Sequence, residues 1–511
     1  MKVSITGASG NIGELVLKEI LKLDFVTSVR ILCHRKKSID KVIRENRKHK
    51  DKMIIIIGSI DNPHVCEELV EDTDVIINLA GVIPPLSDNY PKLAVKCNEI
   101  GVKELVKAIE ESELQPKLIH MSTVAIYGNR NEKHPFGTIS DPVMPTPLDI
   151  YSITKMRGEY SILESDIENW SILRQTAVFY DSLLLKNVSD GLLFQTPFNA
   201  PFDWVTARDT ATLIKNILIE ENNHNLNTSN FWKKCFNIGS LDENRMTYFE
   251  VIDKGFKIIG GNAKDFFSPN NNSLRNFHGM WFEDKNQLEE LFHFQNESVE
   301  EFWTTVGKKY WYFKLGRLVP KKWIRKLVLD KLLKDKNAPR YWIDSNNIPK
   351  IIAFFGPNGK ENELSDNWDE FNLLSKGKKE DGSSIDYEDF KNTPFLMDYH
   401  FDIKKDDKDI TIEDLKNVAK AHGGKLLSLS YSGDVYEKLE WETQDKEKFI
   451  ARPYTILRCG HWMNISYKEY AWDFDRLSKK DKIYQEIWYD SHDKDENYYY
   501  YIDENFEERV K

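Results

Sequence analysis

Tyr151 and Lys155 stand four residues apart in Tyr-Ser-Ile-Thr-Lys. On a helix that spacing puts both side chains on one face. An ammonium beside a phenol favours the phenolate, which would let the tyrosine pass a proton to or from a substrate oxygen. The spacing alone selects nothing, because Tyr310/Lys314 and Tyr387/Lys391 repeat it in a chain rich in both residues. Position selects Tyr151. It follows the hydroxyls of Ser122 and Thr123 by a short loop, at the end of an apolar, strand-like run. The carboxyl ends of such strands open onto ligand-binding crevices. The five cysteines (Cys33, Cys66, Cys97, Cys235, Cys459) form no C-x-x-C pair, so neither a metal site nor a disulfide framework is expected.

A second constellation opens the chain. Val3–Ile5 run into Thr6-Gly7-Ala8-Ser9-Gly10-Asn11-Ile12-Gly13, and an amphipathic stretch, Glu14–Leu23, follows at once. Strand, glycine turn and helix in this order form the phosphate end of a dinucleotide-binding βαβ unit. Gly7 permits the tight turn, Gly10 lets backbone approach a pyrophosphate, and Gly13 lets helix pack closely on strand. The helix N-terminus then offers N–H groups and partial positive charge to phosphates.

The elements that must position these groups are legible as rhythm. Val29–Cys33, Met53–Ile57, Asp74–Leu79, Lys117–Met121 and Trp170–Leu173 read as buried parallel strands. Helical patterns at Lys92–Ser112 and Tyr151–Glu164 lie between them. The expectation is an α/β fold with a doubly wound, Rossmann-type parallel sheet. At 511 residues the chain exceeds one ordinary core. After about residue 310 the rhythm fades. Lys314–Arg340 carries ten Lys/Arg against two Asp, with an apolar stripe at helical spacing, and the remainder is acidic and aromatic, ending in Tyr498–Tyr501. The expected division is 1–310 (cofactor part about 1–178, substrate lobe about 179–310), a basic helical connector 311–350, and a C-terminal α+β domain 351–511. The stripe in the connector is expected to be buried on the protein itself.

As a set, these motifs resemble the extended short-chain dehydrogenase/reductase family, which includes nucleotide-sugar epimerases, over about residues 1–310. The glycine run matches its T-G-x-x-G-x-x-G. Asn78-Leu79-Ala80-Gly81 and Asn98-Glu-Ile-Gly101 match its strand-four and N-x-x-G motifs, and Met121–Gly128 its S-S/T-x-x-V-Y-G strand. Tyr151 and Lys155 match the catalytic pair, Arg174 the L-R-x-x strand, Val205–Asp209 the V-x-x-x-D motif and Asn237-Ile-Gly239 the N-x-G strand. Trp281–Trp303 resembles the family's terminal helix–loop–helix. The resemblance implies that Tyr151 exchanges the proton, Thr123 orients the reacting oxygen, and Lys155 holds the nicotinamide ribose. It also implies cofactor contacts at Gly7, Ser9, Gly10, Asn11 and Ile12. Further contacts are implied at Arg35, Asp61, Ala80 and Asn98.

Three departures refine the expectation. The acidic residue that would bind a ribose 2′-hydroxyl after the second strand is replaced by His34-Arg35-Lys36-Lys37, which suits a 2′-phosphate, so NADP is expected over NAD. The usual acid after strand three is Ser59, with Asp61 nearby. Sugar dehydratases of the family carry Asp-Glu after the catalytic Thr; Val124-Ala125 stands there and cannot exchange protons, so dehydration is not expected. In the C-terminal third, Ala419–Asn464 faintly resembles a zinc-ribbon-like module, but Thr443, Glu447 and Met463 replace its ligands.

The expected function is an NADP-linked oxidoreductase reducing a carbonyl or oxidising a secondary alcohol. A nucleotide-sugar epimerase with tightly bound cofactor is the alternative, and a non-catalytic NADP-binding scaffold or sensor the rival from another class. A formal charge of −11 argues against nucleic acid as a partner. The apolar runs are strand-length, so no membrane partner is expected, and with no leader before the first strand the location expected is cytoplasmic. A homodimer is left open.

Overall fold

Six short apolar runs and a seventh segment, Lys234–Asn237, become the strands of one parallel sheet: β1 (Lys2–Thr6), β2 (Ser28–Cys33), β3 (Met53–Ile57), β4 (Val75–Asn78), β5 (Lys117–Thr123), β6 (Trp170–Gln175) and β7 (Lys234–Asn237). The computed structural model describes residues 1–183, 191–275, 278–357, 366–374, 386–462 and 472–496. Met463, Asn464 and Tyr498–Tyr501, singled out in the sequence, lie outside the described residues. The strands run in the order β7-β6-β5-β4-β1-β2-β3, every neighbouring pair parallel. Strand order reverses at β1, between β2 and β4, and there a crevice opens beyond the carboxyl ends. This is the doubly wound sheet expected from the rhythm.

The helices that matter are α1 (Asn11–Leu21), α2 (Lys36–Glu45), α3 (Gly101–Glu111), α4 (Ile150–Leu163), α5 (Ala207–Asn222), α6 (Tyr248–Phe256), α7 (Val299–Lys309) and α8 (Ile348–Phe355). The helix expected over Lys92–Ser112 is a composite: an α-turn Pro91–Ala94, a π-helical turn Val95–Ile100, then α3. A second sheet, with Pro201–Thr206 between Ala177–Phe179 and Arg245–Thr247, forms a lobe with α6 and α7.

The C-terminal region adds the helix Ile412–Ala421, the hairpin Leu439–Glu442/Lys448–Ala451 and the helix Lys482–Trp488. It does not close a core of its own. Trp441, Tyr454, Leu457 and Trp462 share one buried cluster with Ile153, Met156 and Ile162 of α4 and Trp170 of β6. The Trp170 and Tyr454 rings sit 6.1 Å apart, and the Cys235 amide donates to the Tyr454 hydroxyl at 2.9 Å. Removing residues 311–511 would strip the cover from an apolar face of the helix Ile150–Leu163, and such faces drive aggregation. A chain ending near residue 310 is therefore expected to be insoluble or to bind hydrophobic dyes strongly. A soluble, dye-silent fragment with a cooperative melt would show that the sheet does not need this cover.

Candidate active site

The glycine turn is shaped by backbone crowding. Gly7 has φ +70°, and a Cβ there would lie 2.7 Å from the Leu79 backbone. A Cβ on Gly13 would lie 2.2 Å from the Gly7 carbonyl oxygen, so α1 can approach β1 only with glycine. A Cβ on Gly10 would meet only that same oxygen, at 3.3 Å, which leaves its other side open to the crevice. Gly10 also caps α1 without a side chain, so the first-turn N–H groups keep their capacity to bind an anion. These features fit a dinucleotide pyrophosphate.

One cleft of about 840 Å³ runs from Gly7, Gly10, Asn11 and Ile12 past Ala80 to Thr123, Tyr151 and Lys155. Ser9, Arg35, Asp61 and Asn98 are not among its walls. The Ser9 carbonyl accepts from Lys41 Nζ at 3.0 Å. Arg35 is exposed and caps α2, with Lys36 and Lys37 beside it, at the carboxyl end of β2. Asp61 accepts from the Ser59 hydroxyl and lies 3.6 Å from Lys96 Nζ. Asn98 is buried, its amide spanning the Val82 backbone and the Thr154 hydroxyl, so its visible work is to tie the π-helical turn to α4.

Asp149 caps α4 by accepting from the Ser152 amide at 3.1 Å, and this helix start aims Tyr151 at the end of β5. The Tyr151 hydroxyl faces the Thr123 hydroxyl. Burial pushes the Tyr151 phenol up to about 12, the Asp149 carboxyl adds to the rise, and the Thr123 contact opposes it. Lys155 is 3% exposed; burial lowers its ammonium to about 8, and Nζ donates to the Met121 carbonyl at 2.6 Å. The depressed phenol expected from the spacing is therefore not produced by the protein's own groups: the ammonium is turned to the backbone of β5 and the phenol stays protonated.

Behind this trio lies a joint that local spacing did not reveal. Glu159, one turn beyond Lys155 on α4, is fully buried and accepts from the Ser122 hydroxyl. Arg174 of β6 commits all its donors: Nε and Nη2 to Glu159, Nη1 to the Tyr127 hydroxyl (2.6 Å) and Ile139 carbonyl (3.0 Å), and Nη2 also to the Cys459 carbonyl (2.8 Å). His461 Nε2 lies 3.0 Å from Glu159 Oε1. Although burial opposes it, the Arg174 and His461 contacts hold the Glu159 carboxyl far below the usual range. Two of these groups come from the C-terminal region.

Past Tyr151 the cleft turns apolar. Phe202 and Trp204 alternate on one face of Pro201–Thr206, and Val251, Ile252 and Phe256 line it from α6, Trp303 from α7. Its hydroxyls and amides are spent internally: Thr176 Oγ1 donates to the Asp203 carbonyl (2.6 Å), Gln195 Nε2 to Asn337 (2.7 Å), and the Tyr248 hydroxyl to Leu193 (2.8 Å). Burial lowers His278 to about 4. Among the described residues no arginine lines the cleft, and its only ammonium groups are Lys155 and Lys350. Lys350 arrives on α8 with Phe354, rests over the Trp342 ring at 4.5 Å, and faces Asp88, which burial raises to about 6. The other two Tyr/Lys pairs do not line the cleft; Tyr387 donates to Glu250 at 2.6 Å.

A glycine turn at the crest of a doubly wound sheet faces a Tyr/Lys/Thr group across one crevice, the place where sheets of this kind bind ligands. Residues 3–172, a third of the chain, match the model of the NAD dependent epimerase/dehydratase family. The match ends within β6, so the lobe and everything beyond lie outside it. Among curated proteins, the chain is similar to "Fatty acyl-CoA reductase wat" of Drosophila melanogaster, 24% identical over 207 residues (32% of this chain, 40% of that protein). It is also similar to "Uncharacterized UDP-glucose epimerase YtcB" of Bacillus subtilis, 26% identical over 170 residues (31% of this chain, 50% of that protein). The chain thus spans half or less of the length of these relatives. Among solved structures it is similar to a UDP-glucuronic acid 4-epimerase from Bacillus cereus, at 19% identity and TM-score 0.46, covering 61% of this chain and 100% of that one.

Proposed function

We propose that the protein is an NADP-linked oxidoreductase that reduces a carbonyl, or oxidises the corresponding secondary alcohol, on a molecule whose remainder is apolar. The observation that carries this reading is the continuous cleft that joins the glycine turn, Tyr151 and an aromatic lobe. When bound, the nicotinamide supplies or takes up the hydride. Tyr151, held protonated, gives its proton to the substrate oxygen during reduction and takes it back during oxidation. Thr123 orients that oxygen through its hydroxyl. Lys155 offers its ammonium to ribose hydroxyls. The walls of Phe202, Trp204 and Phe256 exclude water and hold the apolar remainder.

The relatives named UDP-glucose epimerases favour a second reading, an epimerase that retains and regenerates its cofactor. Against it, a nucleotide diphosphate carries anionic oxygens that want arginine or several N–H donors, whereas no arginine lines the cleft among the described residues and the Thr176, Gln195 and Tyr248 side chains there already donate to backbone carbonyls. The reductase among the relatives acts, by its name, on a fatty acyl group. A scaffold would be marked by loss of Tyr151 or Lys155, and both are present.

Steady-state oxidation of NADPH with aliphatic and aromatic carbonyls, set against sugar nucleotides, tests the reading. Turnover is expected with the apolar carbonyls; turnover confined to sugar nucleotides, with cofactor that co-purifies and does not exchange, would favour the epimerase. Exposed Arg35, Lys36 and Lys37 also make NADP(H) the expected tighter ligand, and Arg35→Asp is expected to narrow or reverse the gap. A wild-type preference for NAD(H) in titration would sink the NADP assignment.

A further inference from the structure

Residues 308–327 carry eight Lys/Arg and no Asp or Glu, in a chain whose net charge is −11. The helical spacing in the connector led to the expectation of a stripe buried on the protein. The structure packs Ile324, Val328, Leu329 and Leu332 against the lobe and turns the side chains between and before them outward. Leu318 is 81% exposed, Trp311 and Leu327 64%, Leu315 53% and Trp323 50%. The exposed cations Lys314, Arg317, Lys322 and Lys326 lie among these side chains and pair with no carboxylate among the described residues. This outward face is held in place from behind. Lys309 and Lys321 are tied to Asp181 and Asp265, Arg325 Nη2 donates to Ser268 Oγ at 2.8 Å, and Gly316 sits against Ile259.

We propose that Trp311–Leu327 is a docking face for an anionic lipid bilayer surface, lying on the bilayer without crossing it. Contiguous exposed apolar side chains mark an interaction site. Indole rings and leucines interleaved with unpaired Lys/Arg are the composition that partitions into the headgroup boundary. Among the described residues no helix is long and apolar enough to cross a membrane. Charge complementarity selects the occupant. An anionic leaflet attracts this face and repels the rest of an acidic molecule. A second copy of the chain meeting it about a two-fold axis would set the same cations against each other. The face is also continuous with the lobe: the turn after α6 carries Ile259 and Gly260, and α6 itself lines the cleft. The inference does not depend on the reductase reading.

The test is co-sedimentation of the full-length protein with vesicles of phosphatidylcholine alone and of phosphatidylcholine mixed with phosphatidylserine. Binding is expected to be about tenfold or more tighter on the anionic vesicles and to weaken as salt rises. Tryptophan emission should shift to the blue on binding, less so in Trp311→Ala/Trp323→Ala. Lys314→Glu/Arg317→Glu/Lys322→Glu should abolish binding with an unchanged thermal midpoint. The uncharged Leu318→Ser, at the most exposed position of the face, should weaken it independently. Equal binding to both vesicle types would overturn the proposal, as would binding indifferent to these changes. A vesicle-independent dimer dispersed by Leu318→Ser, with no binding to vesicles, would assign the face to a second copy instead.

Discussion

Tyr151→Phe is expected to cut turnover by about 10²-fold or more while leaving cofactor affinity nearly unchanged, the scale of a lost general acid. The reason is geometric. The phenol sits where the glycine turn and the apolar lobe meet, beside Thr123, and burial raises it to about 12. The ring itself packs, so the phenylalanine variant removes the proton and little else. Lys155→Ala is the informative contrast: it is expected to damage cofactor affinity and turnover together. Tyr310→Phe and Tyr387→Phe supply the controls, because neither tyrosine lines the cleft. Unchanged turnover in Tyr151→Phe, on whichever substrate proves active, would move the proton transfer to another group.

The second large effect is expected at Arg174, in stability. Arg174→Met keeps the bulk but leaves Glu159 buried with a charge that only His461 and a hydroxyl contact, and breaking such a pair costs about 3–5 kcal/mol. Urea unfolding should show the loss. Arg174→Lys should recover only part of it, because an ammonium cannot reproduce the five-donor fork that serves Glu159, Tyr127, Ile139 and Cys459. A loss below about 1 kcal/mol would show that the pair is replaceable by apolar packing, an outcome known for buried ion pairs. Because Glu159 also holds the Ser122 hydroxyl beside Thr123, the maximal rate is expected to fall even at temperatures where Arg174→Met remains folded.

What the sequence makes legible here is what local spacing encodes. The glycine run states its own turn, since Gly7, Gly10 and Gly13 are needed at fixed offsets. The strands β1 to β6 announce themselves as apolar runs, and Tyr151 and Lys155 are a helix turn apart. The Glu159 joint is invisible at that level: its partners His461 and Cys459 lie about 300 residues away and carry no motif. Lys350 reaches the cleft in the same way, from a helix whose sequence says only that it is apolar. The stripe at 314–332 shows the opposite limit. Its period reveals an amphipathic face, but whether another element covers that face depends on the tertiary arrangement.

The joint at Glu159 also has a consequence in time. During synthesis the sheet emerges first, and Glu159 and Arg174 leave the ribosome together. His461 is made 302 residues after Glu159, roughly 15–60 s later at ordinary elongation rates. For that interval nascent α4 presents Met156, Ile162 and the neighbouring Trp170 to water with the cover that buries them not yet translated. The site is thus finished last by a part of the chain that lies outside the family match. Folding yield should therefore depend on chaperones that shield this face until the ribosome lets go.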